Sequence, residues 1–124
     1  MGLFNAMMGN ASDIDISKIQ KEYSELLCPG EEIVSAFAHI RDKWVFTNKR
    51  LILQNTQGLT GKKKEYLSIP YHAVEYFSVE TSGTFDEDSE LKIWVKGMSE
   101  PVEVEFGRGQ NILAIERMLA SFVL

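Results

Sequence analysis

Cys28 is the one cysteine of the chain, and it stands before Pro29 where a run of helical spacing ends. A thiol becomes a nucleophile when a neighbouring histidine or a positive helix end lowers its pKa. Here neither His39 nor His72 is tied to it by sequence, and a structural role is the expectation. One cysteine makes neither an internal disulfide nor a zinc–thiolate cluster. The two histidines lack the spacing that sets two imidazoles on one helix face. Asp86-Glu87-Asp88-Ser89-Glu90 is dense in carboxylates, yet it has neither the glycine nor the distant bidentate glutamate of a calcium loop, so it reads as a solvated hairpin tip. The chain holds no Gly-x-Ser-x-Gly elbow, no phosphate-binding glycine loop and no dinucleotide fingerprint. The expectation is a protein without catalytic, cofactor-binding or metal-ligating residues: no enzyme and no cofactor.

The charges are more informative. Residues 39–64 carry Arg41, Lys43, Lys49, Arg50, Lys62, Lys63 and Lys64 against Asp42 alone, net +6. Residues 73–105 carry nine acids, Asp86, Glu87 and Asp88 among them, against Lys92 and Lys96, net −7. If the two segments build opposite sheets, the molecule has a positive side and a negative side. Such a pattern favours head-to-tail contact between copies, which closes into a ring when the rotation repeats. The interaction surface expected from this is Arg41, Lys43, Lys62, Lys63 and Lys64 on one side and Asp86, Glu87 and Asp88 on the other.

The chain that must position these groups has 124 residues, 44% hydrophobic and 25% charged, with net charge −5. This is the size and composition of one globular domain. The acidic balance excludes the basic footprint of a nucleic-acid binder. No apolar run reaches the roughly 18 residues of a membrane span. The first residues lack the basic start of a signal peptide, and Ala6 stands where a myristoylation signal has Ser or Thr. A cytoplasmic protein is the expectation. Residues 1–13 read as a flexible arm whose Leu3, Phe4, Met7 and Met8 could dock on a neighbouring subunit, and residues 14–124 read as a single domain.

Ser17-Lys18-Ile19-Gln20 has the form of a capping box, and Ile19, Tyr23, Leu26 and Leu27 recur on one helical face, so a short helix is expected over 18–27. Pro29 and Gly30 stop it. Seven strand runs follow: 32–40, 43–47, 50–56, 65–69, 74–80, 91–95 and 102–106. The last two alternate apolar and polar residues, with Leu91, Ile93, Val95, Val102, Val104 and Phe106 inward. Trp44 and Trp94 read either as core residues or, if both point outward, as interface anchors. From Gln110 the period turns helical, with Ile112, Ile115, Leu119 and Phe122 on one stripe. The fold class is mainly β: a seven-stranded antiparallel barrel whose open mouth the C-terminal helix plugs.

Seven strands followed by one amphipathic helix is the plan of the pleckstrin-homology fold. Phe46-Thr47-Asn48-Lys49-Arg50-Leu51-Ile52-Leu53 resembles the strand–turn–strand signature of bacterial pleckstrin-homology-like domains. Ser68-Ile69-Pro70-Tyr71, Phe77-Ser78-Val79-Glu80 and Leu91-Lys92-Ile93-Trp94 fall where that family has its next strands. The resemblance covers residues 14–124 and implies a non-enzymatic, homo-oligomeric protein of no known ligand. Lipid-binding members of the wider fold grip inositol phosphates with several cations on a long first hairpin. Here that hairpin is Ile40-Arg41-Asp42-Lys43, so phosphoinositide binding is not expected. The partners expected are copies of the chain itself and a further protein, with no nucleic acid. Contact with anionic lipid through Lys62, Lys63 and Lys64 would be weak, since each lysine contributes about 1 kcal/mol near such a surface.

Overall fold

The computed structural model describes residues 12–13, 15–39, 41–81, 89–107 and 111–124. The helix α1 spans Ile16–Glu22, earlier than the 18–27 expected. Its cap is Asp15, whose carboxylate accepts from the Ser17 amide at 3.0 Å and from the Ser17 hydroxyl at 2.8 Å. The Ser17–Gln20 box is therefore not the start signal, because Asp15 takes both the Ser17 amide and the Ser17 hydroxyl that the box would use. Beyond Glu22 the chain continues as turns, with the amides of Leu26 and Leu27 both donating to the Tyr23 carbonyl. Gly30 sits at φ +83°, which turns the chain toward the first long strand.

Five antiparallel strands build the first sheet: β1 (Ser12–Asp13), β2 (Ile33–His39), β3 (Asp42–Thr47), β4 (Arg50–Gln57) and β5 (Lys63–Pro70), in that spatial order. The two-residue β1 pairs Ser12 with Ala38 and Asp13 with Phe37, and the rest of the 1–13 arm lies outside the described residues. Three strands build the second sheet: β6 (Val74–Glu80), β7 (Ser89–Val95) and β8 (Val102–Phe106). Seven full-length strands are present, but the expected closed barrel is not. Pro70 withholds a ladder donor at the end of β5, and a 3-10 turn at Tyr71–Ala73 swings the chain across, so no ladder joins β5 to β6. The architecture is two packed sheets, of four long strands and three, with one corner between them.

Both central strands of the first sheet are buried on both faces. Phe46 and Leu51 point into the main core with Phe37, Leu91, Ile93 and Phe106, while Val45 and Ile52 point the other way, under Ile19 and Tyr23 of the α1 region. This is why residues 44–46 and 51–53 are continuous apolar runs rather than alternating ones. In the second sheet β7 and β8 alternate cleanly, because their outer face meets solvent. Helix α2 (Ile112–Val123) is capped by Asn111, whose side chain accepts from the Ala114 amide. It packs Ile112, Ile115 and Leu119 on the 3-10 turn and on β6 and β7. Phe122 stacks on Tyr71 with ring centroids 4.8 Å apart and planes 8° from parallel.

Candidate functional site

The turn between β3 and β4 looks in sequence like a display of cations, and the structure makes it a clamp. Arg50 donates through Nε and Nη2 to the two carboxylate oxygens of Glu31, at 2.8 and 2.9 Å. Nη1 donates to the Ser68 hydroxyl and Nη2 donates also to the Leu26 carbonyl, each at 2.9 Å. Glu31 is 5% exposed and also accepts from the Thr47 hydroxyl at 2.7 Å and the Cys28 amide at 3.1 Å. Burial pushes its carboxyl up, but the donors from Arg50, Thr47 and Cys28 outweigh burial and hold it down at about 2. Asn48 completes the clamp by accepting from the Glu32 amide and donating to the Gly30 carbonyl. The Thr47-Asn48-Lys49-Arg50 motif thus fastens the 26–32 segment to the β3–β4 hairpin. Arg50 is not part of a positive surface, and no spacing in the sequence joins it to Glu31.

The first hairpin is similarly engaged. Arg41 donates to the carbonyls of Gly58 and Thr56, at 2.7 and 3.2 Å, and Lys43 donates to Glu22 at 2.8 Å. Lys62, Lys63 and Lys64 are exposed and have no ion pair among the described residues. Lys64 is the register partner of Thr56 and Lys63 of Gln57, so Arg41 and the three lysines gather at one end of the first sheet. Asp86, Glu87 and Asp88 lie outside the described residues.

On the outer face of the second sheet stand Glu80, Glu90, Glu103 and Glu105, beside Lys92 at 4.0 Å from Glu90. Trp94 and Tyr76 stack on that same face, centroids 4.6 Å apart and planes 19° from parallel, with Tyr76 57% exposed. Trp94 is therefore a surface aromatic. Trp44 instead packs against the main core, and its buried Nε1 has no partner among the described residues.

A third feature lies between α1 and the edge strand β5. Glu22, Tyr23, Glu25, Leu26 and Tyr66 line an open cavity of about 230 Å³. Tyr23 is buried and donates to Gln54 at 2.6 Å, and burial raises its phenol above the ordinary range. The Tyr66 ring stands at 89° to the Tyr23 ring, 5.7 Å away. Among the described residues no three His, Cys, Asp or Glu side chains converge as metal ligands. No helix there is long and apolar enough to cross a membrane.

A four-stranded and a three-stranded antiparallel sheet, joined at a corner and closed by a C-terminal helix, define a pleckstrin-homology-like domain. The comparisons agree, and the chain belongs to the bacterial PH domain family, whose model matches residues 2–123. It is 47% identical over 122 residues to the uncharacterized protein YjqA of Bacillus subtilis (strain 168), covering 98% of each chain. A DUF1696 family protein with a pleckstrin-homology domain from Shewanella loihica PV-4 superposes with a TM-score of 0.85 at 43% identity, over 94% of this chain and all of that one. A pleckstrin homology domain from Shewanella amazonensis SB2B gives 0.73 at 48% identity, over 94% of each chain.

Proposed function

We propose that this domain is a cytoplasmic, non-catalytic binding module that assembles with copies of itself, the basic end of one first sheet meeting the acidic outer face of another copy's second sheet. The observation that carries the reading is the separation of charge: exposed Lys62, Lys63 and Lys64 at the end of one sheet, and exposed Glu80, Glu103 and Glu105 with the half-buried Glu90 on the outer face of the other. Two unlike patches on one chain make a heterologous contact, which a repeated rotation closes into a ring. The stacked Tyr76 and Trp94 supply apolar area on the same face, at the end beyond Lys92 from the Glu80–Glu90–Glu105 row, and aromatic residues of this kind contribute strongly to interfaces.

Mass by light scattering at tens of micromolar protein tests the reading. A multimer at low salt that loses mass toward 1 M salt is expected, since the screening length falls to about 3 Å there. The triple change Lys62→Glu, Lys63→Glu, Lys64→Glu should reduce the mass to that of one chain. A concentration-independent monomer of the native chain at low salt refutes it.

A further inference from the structure

Every residue of β5 except Ile69 is exposed. The strand is an edge of its sheet, paired with β4 alone among the described residues. An edge strand presents unpaired backbone donors and acceptors, and proteins usually cover or charge such a row. Here Lys63, Lys64 and Glu65 charge one end and Pro70 blocks the other, while Tyr66, Leu67 and Ser68 between them are exposed and uncharged, with Tyr66 42% and Leu67 39% exposed on opposite faces. Tyr66 shares its face with Ser68, which bonds Arg50, and by alternation with Lys64. Leu67 shares the other face with Ile69, a residue of the main core.

The cavity beside Tyr66 lies on the first of these faces. Two tyrosine rings at right angles form its corner, Leu26 adds an apolar wall, and Glu22 and Glu25 stand on its rim. Glu22 is neutralised by Lys43. Glu25 is exposed and has no ion pair among the described residues. A cavity with two aromatic rings and one exposed carboxylate, unpaired among the described residues, matches a long cationic side chain: the methylene stem packs on the rings and the charge meets Glu25 and the ring faces.

We infer that β5 and this cavity form one peptide-docking site, in which an extended segment of a partner protein adds as a strand to β5 and places a lysine or arginine, opposite Tyr66, into the cavity. Strand addition divides the work in the usual way, with backbone bonds giving affinity and the side-chain pocket giving selectivity. The residue directly opposite Tyr66 leaves on the same face, its Cβ about 5 Å from that of Tyr66. Two residues along, the segment faces Lys64, so an acidic residue belongs there. The segment recognised is thus an extended one with a basic and an acidic residue two apart. This site shares Lys63 and Lys64 with the self-association proposed above, but Tyr66 and Glu25 belong to it alone, so changes at those two residues test it separately.

The probe is a fluorescent peptide the length of β5, alternating valine and threonine, with one central lysine and a glutamate two residues away, followed by anisotropy. Saturable binding is expected. It should weaken about tenfold or more when the lysine is changed to glutamate, when the peptide backbone is N-methylated, and in the Glu25→Lys protein. Glu25→Lys should in turn gain affinity for the peptide with a central glutamate, which a merely damaged fold would not do. Equal binding of the lysine and glutamate peptides overturns the pocket, and tolerance of N-methylation overturns strand addition. Absence of saturation up to about 1 mM overturns the site. So does a native multimer that excludes the peptide and that Tyr66→Ala dissolves, because the edge then belongs to a second copy.

Discussion

Glu31 holds its charge where burial alone would neutralise it, and that sets a pH dependence. Its folded carboxyl sits at about 2, below the ordinary 4.5. Between those values the unfolded chain takes up a proton that the folded chain refuses, so stability rises with pH through that window. The contribution is whole above about pH 4.5 and disappears as the pH falls toward 2. Urea midpoints measured across this range should trace that loss. Glu31→Gln should flatten the acid limb and cost about 3 kcal/mol near neutrality, because Arg50 is left partly buried without its counter-charge. An unchanged midpoint would refute the clamp. Tyr71, whose hydroxyl donates to the Thr47 carbonyl at 2.6 Å, offers a smaller test: Tyr71→Phe should cost about 1 kcal/mol in the same assay. None of this is visible in residues 46–53 read alone. The turn chemistry of Asn48 is legible there, but the partner of Arg50 lies 19 residues upstream, at no helical or strand spacing.

Among the elements, α2 is the one whose removal should be felt throughout the core. Leu119 is fully buried against the second sheet, and Leu119→Ala should lower stability by about 2–5 kcal/mol, read as a shift in urea midpoint at constant slope. A loss below about 0.5 kcal/mol would mean that the helix does not close the core. This stripe was legible because Ile112, Ile115 and Leu119 repeat at helical spacing, and the inner faces of β7 and β8 were legible because solvent on one side enforces alternation. Closure was not legible. Whether two strands share a ladder depends on how the chain leaves β5, and residues 65–69 alternate no differently in an edge strand than in a barrel. The α1 start was misplaced for a local reason: Asp15 and Ser17 both cap well, and the choice follows from where Ile19 and Tyr23 must reach the first sheet.

At the scale of the whole molecule, the cations of the first hairpin are already satisfied internally, Arg41 by two carbonyls and Lys43 by Glu22. Sedimentation with vesicles should therefore show no selectivity among phosphoinositide headgroups. Micromolar, headgroup-specific binding abolished by Arg41→Ala or Lys43→Ala would contradict this. The family signature around Asn48 then reports a fastening of the fold, and variants there should alter stability before they alter any partner. The corner at Tyr71–Ala73 has a different consequence. Tyr71 bonds the first sheet through Thr47 and stacks on Phe122 of α2, while the Ala73 carbonyl accepts from Lys96 at the end of the second sheet. Three parts of the molecule meet at three consecutive residues, with no slack loop between the sheets. The halves cannot melt in turn, so calorimetry should give a single transition with equal calorimetric and van't Hoff enthalpies. Amides in β3 and β7 should exchange with deuterium through the same global opening.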